Sequence, residues 1–464
     1  MLTIGDTTRH GRRDFLRVGG LAGGALALPG LLPGMLRAGA PLTGANRPVT
    51  DKSVIFLFLH GGPSQIETFD PKMTAPAEVR SATGETQTAI PGVTFGASFP
   101  ELARRADRFT VVRSFATGDG NHDIKPVVGR DTFGANLGSA YAAVAGSVNP
   151  DTAMPSNVLL FPKAVDPDAG PGQANFGRFN SNGPFGAGAV PFQPDGDGGL
   201  RADMRVNLPL ARLDDRRSLL AAFDAARVAG DEAGGLDSTR ERAFTVLRSG
   251  IGDAFDLTKE DPRTVARYDT APRVNGLAIN TKWNNHKHYT DNARTLGKLL
   301  LLARRLCERG AGFVTVTTNF VWDMHADVNN APMVEGMSYM APPLDHALSA
   351  FLDDVRSRGL DDKILLVACG EMGRTPKINR NGGRDHWGGL APLLLAGGGL
   401  RMGQVIGQSD REAGTPATQP VRIPHLLGTV MHTLFDVGRL RVTRGAGREV
   451  LQLADHEPVP GLHG

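Results

Sequence analysis

Residues 54–59, VIFLFL, form a short unbroken apolar run that stops at His60-Gly61-Gly62-Pro63. A run that is apolar at every position, rather than at every second one, suits a strand covered on both faces, and the Gly/Pro turn ends it sharply. Such a strand demands helices above and below it, and the chain supplies them. Residues 100–108 read as helical and 109–115 as extended. Residues 290–309 (TDNARTLGKLLLLARRLCER) read as a strong helix, 313–318 as a strand and 341–358 as a helix. Residues 363–368 (KILLVA) and 392–396 read as strands, and 424–435 as a closing helix. The alternation predicts an α/β fold with a mostly parallel mixed sheet sandwiched between helices.

Two stretches fall outside that rhythm. From about 161 to 200 the chain dissolves into Gly, Pro, Asn and Asp, a length that points to a functional loop. Residues 212–228 and 238–255 then read as amphipathic helices, so an insertion over about 161–260 is expected inside one α/β domain of residues 47–464. No Pro/Ser linker or charge block divides that domain, and it contains no internal repeat.

The first 46 residues have a different character. Gly11-Arg12-Arg13-Asp14-Phe15-Leu16-Arg17 precedes a Gly/Ala/Leu-rich stretch from 18 to 36, the layout of a twin-arginine (Tat) export signal. Glycines and prolines through the apolar stretch weaken the competing reading, a membrane anchor. Small residues near Ala38-Gly39-Ala40, or nearer Ala45, suit cleavage. Residues 1–46 carry five arginines and two aspartates, so they account for the whole formal charge of +3 and leave a neutral mature chain. No nucleic-acid partner is indicated. The expected partner of this segment is the Tat translocase during export, and no transmembrane segment is expected in the mature chain. The two cysteines, Cys307 and Cys369, lie in apolar runs and read as buried thiols rather than a bridge.

Ligand sites in open α/β sheets collect at the carboxyl ends of strands, so the residues that follow each strand are the informative ones. His60, Glu67 and Asp70 follow the first; Asp119, Asn121, His122 and Asp123 follow the second. Asp323, His325 and Asp327 follow 313–318, and Glu371 and Arg374 follow 363–368, with Arg384, Asp385 and His386 before the next strand. Imidazole and carboxylate together suit a divalent cation such as zinc, manganese, magnesium or calcium. The expected metal set is His60, Asp70, Asp323, His325, Asp385 and His386. His286 and His288 read equally as caps of the following helix or as an edge of the pocket, His346, His425 and His432 as helix positions, and His456 and His463 as part of a Pro/Gly tail.

Five ordered motifs then carry a resemblance. They are Gly61-Gly62-Pro63-Ser64-Gln65-Ile66-Glu67-Thr68-Phe69-Asp70-Pro71-Lys72, Arg113-Ser114 with Asn121-His122, Trp322-Asp323-Met324-His325, Gly370-Glu371-Met372-Gly373-Arg374-Thr375-Pro376 and Gly383-Arg384-Asp385-His386-Trp387. Together they resemble domain-of-unknown-function family 1501, usually Tat-exported and placed in the alkaline phosphatase-like clan beside sulfatases and phosphoglycerate mutases. The resemblance implies that clan's sheet, with metal at the carboxyl strand ends. It places Asp323 with His325, and Asp385 with His386, at ligand pairs, and Glu371 near a third. His60 stands where hydrolytic relatives have an Asp. Asn121-His122 stands near the nucleophile position, and Thr117 lies upstream of it.

Two routes follow from that resemblance. Either water attacks directly while His122 or Glu371 manages the proton, or Thr117 is the nucleophile. Arg374 and Arg384 are expected either to clamp a substrate oxyanion or to pair with strand-end carboxylates. The leading expectation is an exported, metal-dependent hydrolase of sulfate or phosphate esters on small molecules or polysaccharide. The alternatives are a non-catalytic sulfatase-like module of the envelope and a mutase- or transferase-like enzyme.

Overall fold

The computed structural model describes residues 47–173, 175–194 and 251–463. The expected export segment lies outside these residues, as do the helical stretch 212–228 and residues 238–250 of the second one, while Ile251–Ala254 form a 3-10 turn. Among the described residues no helix is long and apolar enough to cross a membrane.

Seven strands make the central sheet: β1 (Ser53–Phe58), β2 (Thr110–Val112), β3 (Asn157–Leu160), β4 (Phe313–Thr317), β5 (Ile364–Cys369), β6 (Leu393–Gly397) and β7 (Gln404–Ile406), in the order β7-β2-β6-β5-β1-β4-β3. β1 pairs in parallel with β4 on one side and β5 on the other; β3 is parallel to β4, and β7 to β2. β6 alone runs against its neighbours β5 and β2. The fold is mixed α/β with a mostly parallel sheet flanked by helices.

The unbroken apolar pattern of β1 is explained by what covers it. Ile55 and Leu57 enter a core with side chains of α2 (His286–Glu308) and α3 (Met333–Ser357). Val54, Phe56 and Phe58 enter a second core with α1 (Leu137–Ala145), α4 (Ile423–Leu434) and α5 (Arg448–Ala454). Burying each such side chain contributes about 1.5–3 kcal/mol. Alternate residues of one strand thus join two cores and fix its register between β4 and β5.

Some boundaries differ from those the sequence pattern predicts. α3 begins at Met333 and runs through Pro342 and Pro343. Proline disfavours a helix interior because it lacks an N–H and clashes with the preceding turn, which pushes a local reading of the helix start to 341. Met337, Met340, Leu344 and Leu348 are buried along that helix, and their packing sustains it through the proline pair. The helix expected over 100–108 divides into Pro100–Ala103 and a 3-10 turn, Ala106–Arg108. Asp345 of α3 caps the first piece, accepting from Glu101 N at 2.8 Å and Leu102 N at 2.7 Å. Strand β3 has no counterpart in the sequence reading, being only four residues long and framed by Pro155 and Pro162.

Candidate metal centre

The carboxyl ends of β4, β1 and β5 lie side by side, so the residues just beyond them meet. The meeting depends on Gly61. Its φ is +111°, and a Cβ there would stand 2.7 Å from the Asp323 nitrogen and 2.8 Å from that of Trp322. Glycine both adopts this backbone and lets the β4 loop close over the end of β1. The same residue's N–H donates to Glu371 Oε1 at 2.9 Å, and its carbonyl accepts from the Arg374 guanidinium.

Asp323 is the hub. Its Oδ1 accepts from Arg374 Nη2 at 2.7 Å and lies 3.0 Å from His386 Nε2 and 3.4 Å from His122 Nε2. Its Oδ2 faces His325 Nε2 at 2.9 Å and accepts from Asn330 Nδ2 at 3.0 Å. Burial opposes ionisation, yet the Arg374 charge and the close imidazoles of His122, His325 and His386 hold this carboxyl well below the usual carboxylate range. It is a buried anion with a cation at its back.

His122 arrives from the loop after β2 and His386 from a two-residue hairpin arm paired with Gly373–Arg374. Their Nε2 atoms face each other at 3.0 Å, while His122 Nδ1 lies 3.1 Å from Glu371 Oε1. An ionised Glu371 can only accept, so His122 carries its hydrogen on Nδ1 and turns an Nε2 lone pair toward His386 and Asp323. Burial lowers the affinity of His122 for a second proton, and the bonds to Asp323 and Glu371 outweigh it, raising the imidazole above its ordinary value. His325 is raised too, chiefly by its bond to Asp323.

Three donor atoms, one each from His122, Asp323 and His386, therefore converge within 4.8 Å of one another. Donors bound tetrahedrally at about 2.1 Å stand about 3.4 Å apart, so the observed 3.0–3.4 Å spacing needs only slight expansion to hold a divalent cation. The chemistry of the set agrees: two imidazole nitrogens and one carboxylate oxygen, with a carboxylate behind one imidazole. A single proton on His386 Nε2 cannot serve both the opposed nitrogen and Asp323 Oδ1, whereas a second proton on His122 or a cation between them satisfies all three. Asp323 is 4% exposed at its side chain and His386 34%, so the open side lies at His386.

Other expected site residues are placed differently. His325 joins through the second oxygen of Asp323 rather than at the convergence point. Glu371 is fully buried, its oxygens taken by Gly61 N–H and His122, which makes it an orienting group for His122. His60 is 1% exposed with neither ring nitrogen hydrogen-bonded, and it is packed by the rings of Phe58, Phe176, Phe179 and Phe320. Burial pushes it down to about 4, with nearby Glu371 offsetting part of the effect. Thr117 is buried and its hydroxyl has no hydrogen-bond partner, so no base contacts it as activation of a nucleophile requires.

Asp70 and Asp385, both in the expected ligand set, are not among the three converging donors. Asp70 accepts from Ser409 and pairs with Lys72 at 3.3 Å and Arg113 at 3.6 Å. Asp385 is exposed and accepts from Asn379 Nδ2 at 2.9 Å. Arg374 and Arg384 are fully buried, with their donors engaged inside the protein. Arg374 bonds the carbonyls of Gly61, Gly62, Trp322 and Arg384 besides Asp323. Arg384 pairs with Glu67 at 2.9 Å and bonds the carbonyls of Val79 and Arg80. The carboxylate-pairing alternative describes both arginines, and neither is free to clamp a substrate.

Asn330, Phe176 and Phe320 were not singled out from the sequence. Asn330 carries a weak signal, an Asn seven residues beyond Asp323 in the same polar segment; the two phenylalanines carry none.

Fold and site together define a class: a mixed α/β protein whose carboxyl strand ends gather imidazole and carboxylate donors suited to a divalent cation. The chain belongs to the family described as Protein of unknown function (DUF1501), whose model matches residues 51–459. No curated protein matches it. Its structural neighbours include sulfatases and a phosphonate monoester hydrolase. The lipoteichoic acid synthase LtaP from Listeria monocytogenes is 10% identical, with 88% of this chain and 77% of that one covered and a TM-score of 0.33. The PsFucS1 sulfatase from Pseudoalteromonas sp. is 11% identical, with 78% and 65% covered and a TM-score of 0.34. The phosphonate monoester hydrolase SpPMH from Silicibacter pomeroyi is 10% identical, with 82% and 73% covered and a TM-score of 0.31. These are distant likenesses, and their activities are stated of those proteins alone.

Proposed function

We propose that the chain is an exported, metal-dependent hydrolase of sulfate or phosphate esters on small molecules or polysaccharide. The observation that carries this reading is the convergence of His122, Asp323 and His386 donor atoms on one point at the carboxyl ends of the central strands. A divalent cation held by these residues would supply Lewis acidity toward an ester oxygen.

The remaining chemistry belongs to the chain. Glu371 fixes the His122 tautomer, and Arg374 keeps Asp323 ionised and oriented. In hydrolysis, a water oxygen bonds to phosphorus or sulfur as the bond to the alcohol oxygen breaks. The alcohol leaves with a proton, and the acidic product keeps the rest. His325, 23% exposed and held at Nε2 by Asp323, is placed to pass that proton from Nδ1. With the Thr117 hydroxyl uncontacted, direct attack by water is favoured over a covalent route. Export rests on Arg12-Arg13 and the apolar stretch behind them.

The test is elemental analysis of natively purified protein, followed by aryl phosphate and aryl sulfate assays of wild type and His325→Ala. About one divalent ion per chain, with turnover reduced at least 100-fold in the variant, is expected. Absence of metal, or equal rates, would overturn the reading.

A further inference from the structure

The donor cluster is not symmetrical in its surroundings. On one side stand His386 and His325, both partly open to solvent. On the other stands an aromatic wall. Phe320, only 5% exposed, packs its ring 4.7 Å from that of His122, centroid to centroid, and Phe176 stacks on Phe320 at 4.7 Å with the planes 28° apart. Phe176 also lies 5.0 Å from His122 and 5.8 Å from His60.

Phe176 is half-buried and its ring stands beside the donor cluster. Its position is built rather than incidental. It belongs to the Gly/Pro-rich stretch after β3, and the next residue, Gly177, has φ +144° and would place a Cβ 2.7 Å from Ile124, two residues beyond His122. Close packing of that glycine against the His122 loop ties the aromatic wall to the donor set.

We infer that Phe176 is a specificity-determining residue, forming an apolar subsite for the alcohol part of the ester. The inference rests on the proposed hydrolase reading and narrows its substrate class. An ester there has its acidic group at the open His386–His325 side and a ring-bearing alcohol, an arene or the flat face of a pyranose, against Phe176. A ring face on an aromatic side chain gains both burial and stacking, about 0.5–1.5 kcal/mol from stacking alone, whereas a methyl alcohol gains neither fully.

Non-hydrolysable phosphonates test this by calorimetry on the protein as purified. Wild type is expected to bind phenylphosphonate, a glucopyranosyl methylphosphonate, or both at least 10-fold more tightly than methylphosphonate, and the two ring probes tell which ring is preferred. Phe176→Ala should lose that preference, read as the ratio of ring-phosphonate to methylphosphonate affinity. Phe176→Tyr, which keeps the ring, should restore the preference and guards against a folding defect in the alanine variant. Equal binding of all three probes by wild type, or an unchanged preference in Phe176→Ala, overturns the subsite while leaving the hydrolase reading standing. Failure of wild type to bind any phosphonate overturns both.

Discussion

His122 Nε2 and His386 Nε2 stand 3.0 Å apart, the Oδ1 atom of Asp323 closing the triangle at 3.4 and 3.0 Å. Two ring nitrogens brought from distant parts of the chain to this separation need a proton or a cation between them, and the carboxylate favours a positive charge of either kind.

Replacing His386 by alanine removes one of the three converging donors. Metal affinity is expected to fall at least 100-fold, more than the 10–100-fold typical of supporting groups. Asp70→Asn and Asp385→Asn, outside the triangle, should leave affinity within about twofold. Competition with a chromophoric chelator measures all three, and an Asp70 effect as large as that of His386 would count against the assigned ligands.

Glu371→Gln tests orientation rather than ligation. Glutamine can still accept from Gly61 N–H, but it no longer holds His122 Nδ1–H with a negative charge. A loss of about 10–100-fold in metal affinity is expected with little change in fold. An affinity equal to wild type would show that the His122 tautomer is set elsewhere.

Lys125 anchors the loop that presents His122. Its buried ammonium lies 2.8 Å from Asp119 and 2.9 Å from Asp123, on either side of that histidine, and donates to the Asn121 carbonyl at 3.4 Å. Lys125→Met should raise the apparent metal dissociation constant about 5- to 30-fold, the equivalent of about 1–2 kcal/mol lost with the anchoring bonds. Lys125→Arg should recover part of it. Titration of the apoproteins with zinc would show the ranking, and indistinguishable curves would dismiss the anchor.

Glu260 provides a pH test remote from the site. It pairs with Arg304 and Arg305, each at 2.8 Å, and with Arg358 at 3.3 Å. Burial opposes its ionisation, but the Arg305 bond and the Arg304 charge push its carboxyl down to about 2 from an ordinary 4.5. A depressed acid contributes stability above its unfolded value that is lost as pH falls through the folded one. Glu260→Gln should therefore be less stable than wild type by about 1–3 kcal/mol at pH 7, and the gap should close between pH 4.5 and 2. Denaturant melts across that range would reveal a constant gap if the pairs contribute nothing.

Local order was largely legible along the chain. The apolar runs at 54–59, 313–318 and 363–368 became β1, β4 and β5 within a residue or so, because strands buried on both faces must be apolar throughout. Asp323, His386 and His122 also stood out, since an imidazole or carboxylate just past a buried strand is placed where ligands bind in such sheets. Less legible were the helix continuing through Pro342-Pro343 and the short edge strand β3, both sustained by packing rather than by local preference.

By itself, then, the sequence determined the layered α/β architecture and the pool of polar residues at its carboxyl edge, because hydrophobic periodicity and turn residues act over a few positions. Only the tertiary structure decided which members of the pool meet. Asp70 went to Lys72 and Arg113, Arg384 to Glu67, and Asp385 to Asn379, while Asp323, His122 and His386 closed on one point. That choice turns on strand order and on the close approach permitted at Gly61, neither of which is a local property of the chain.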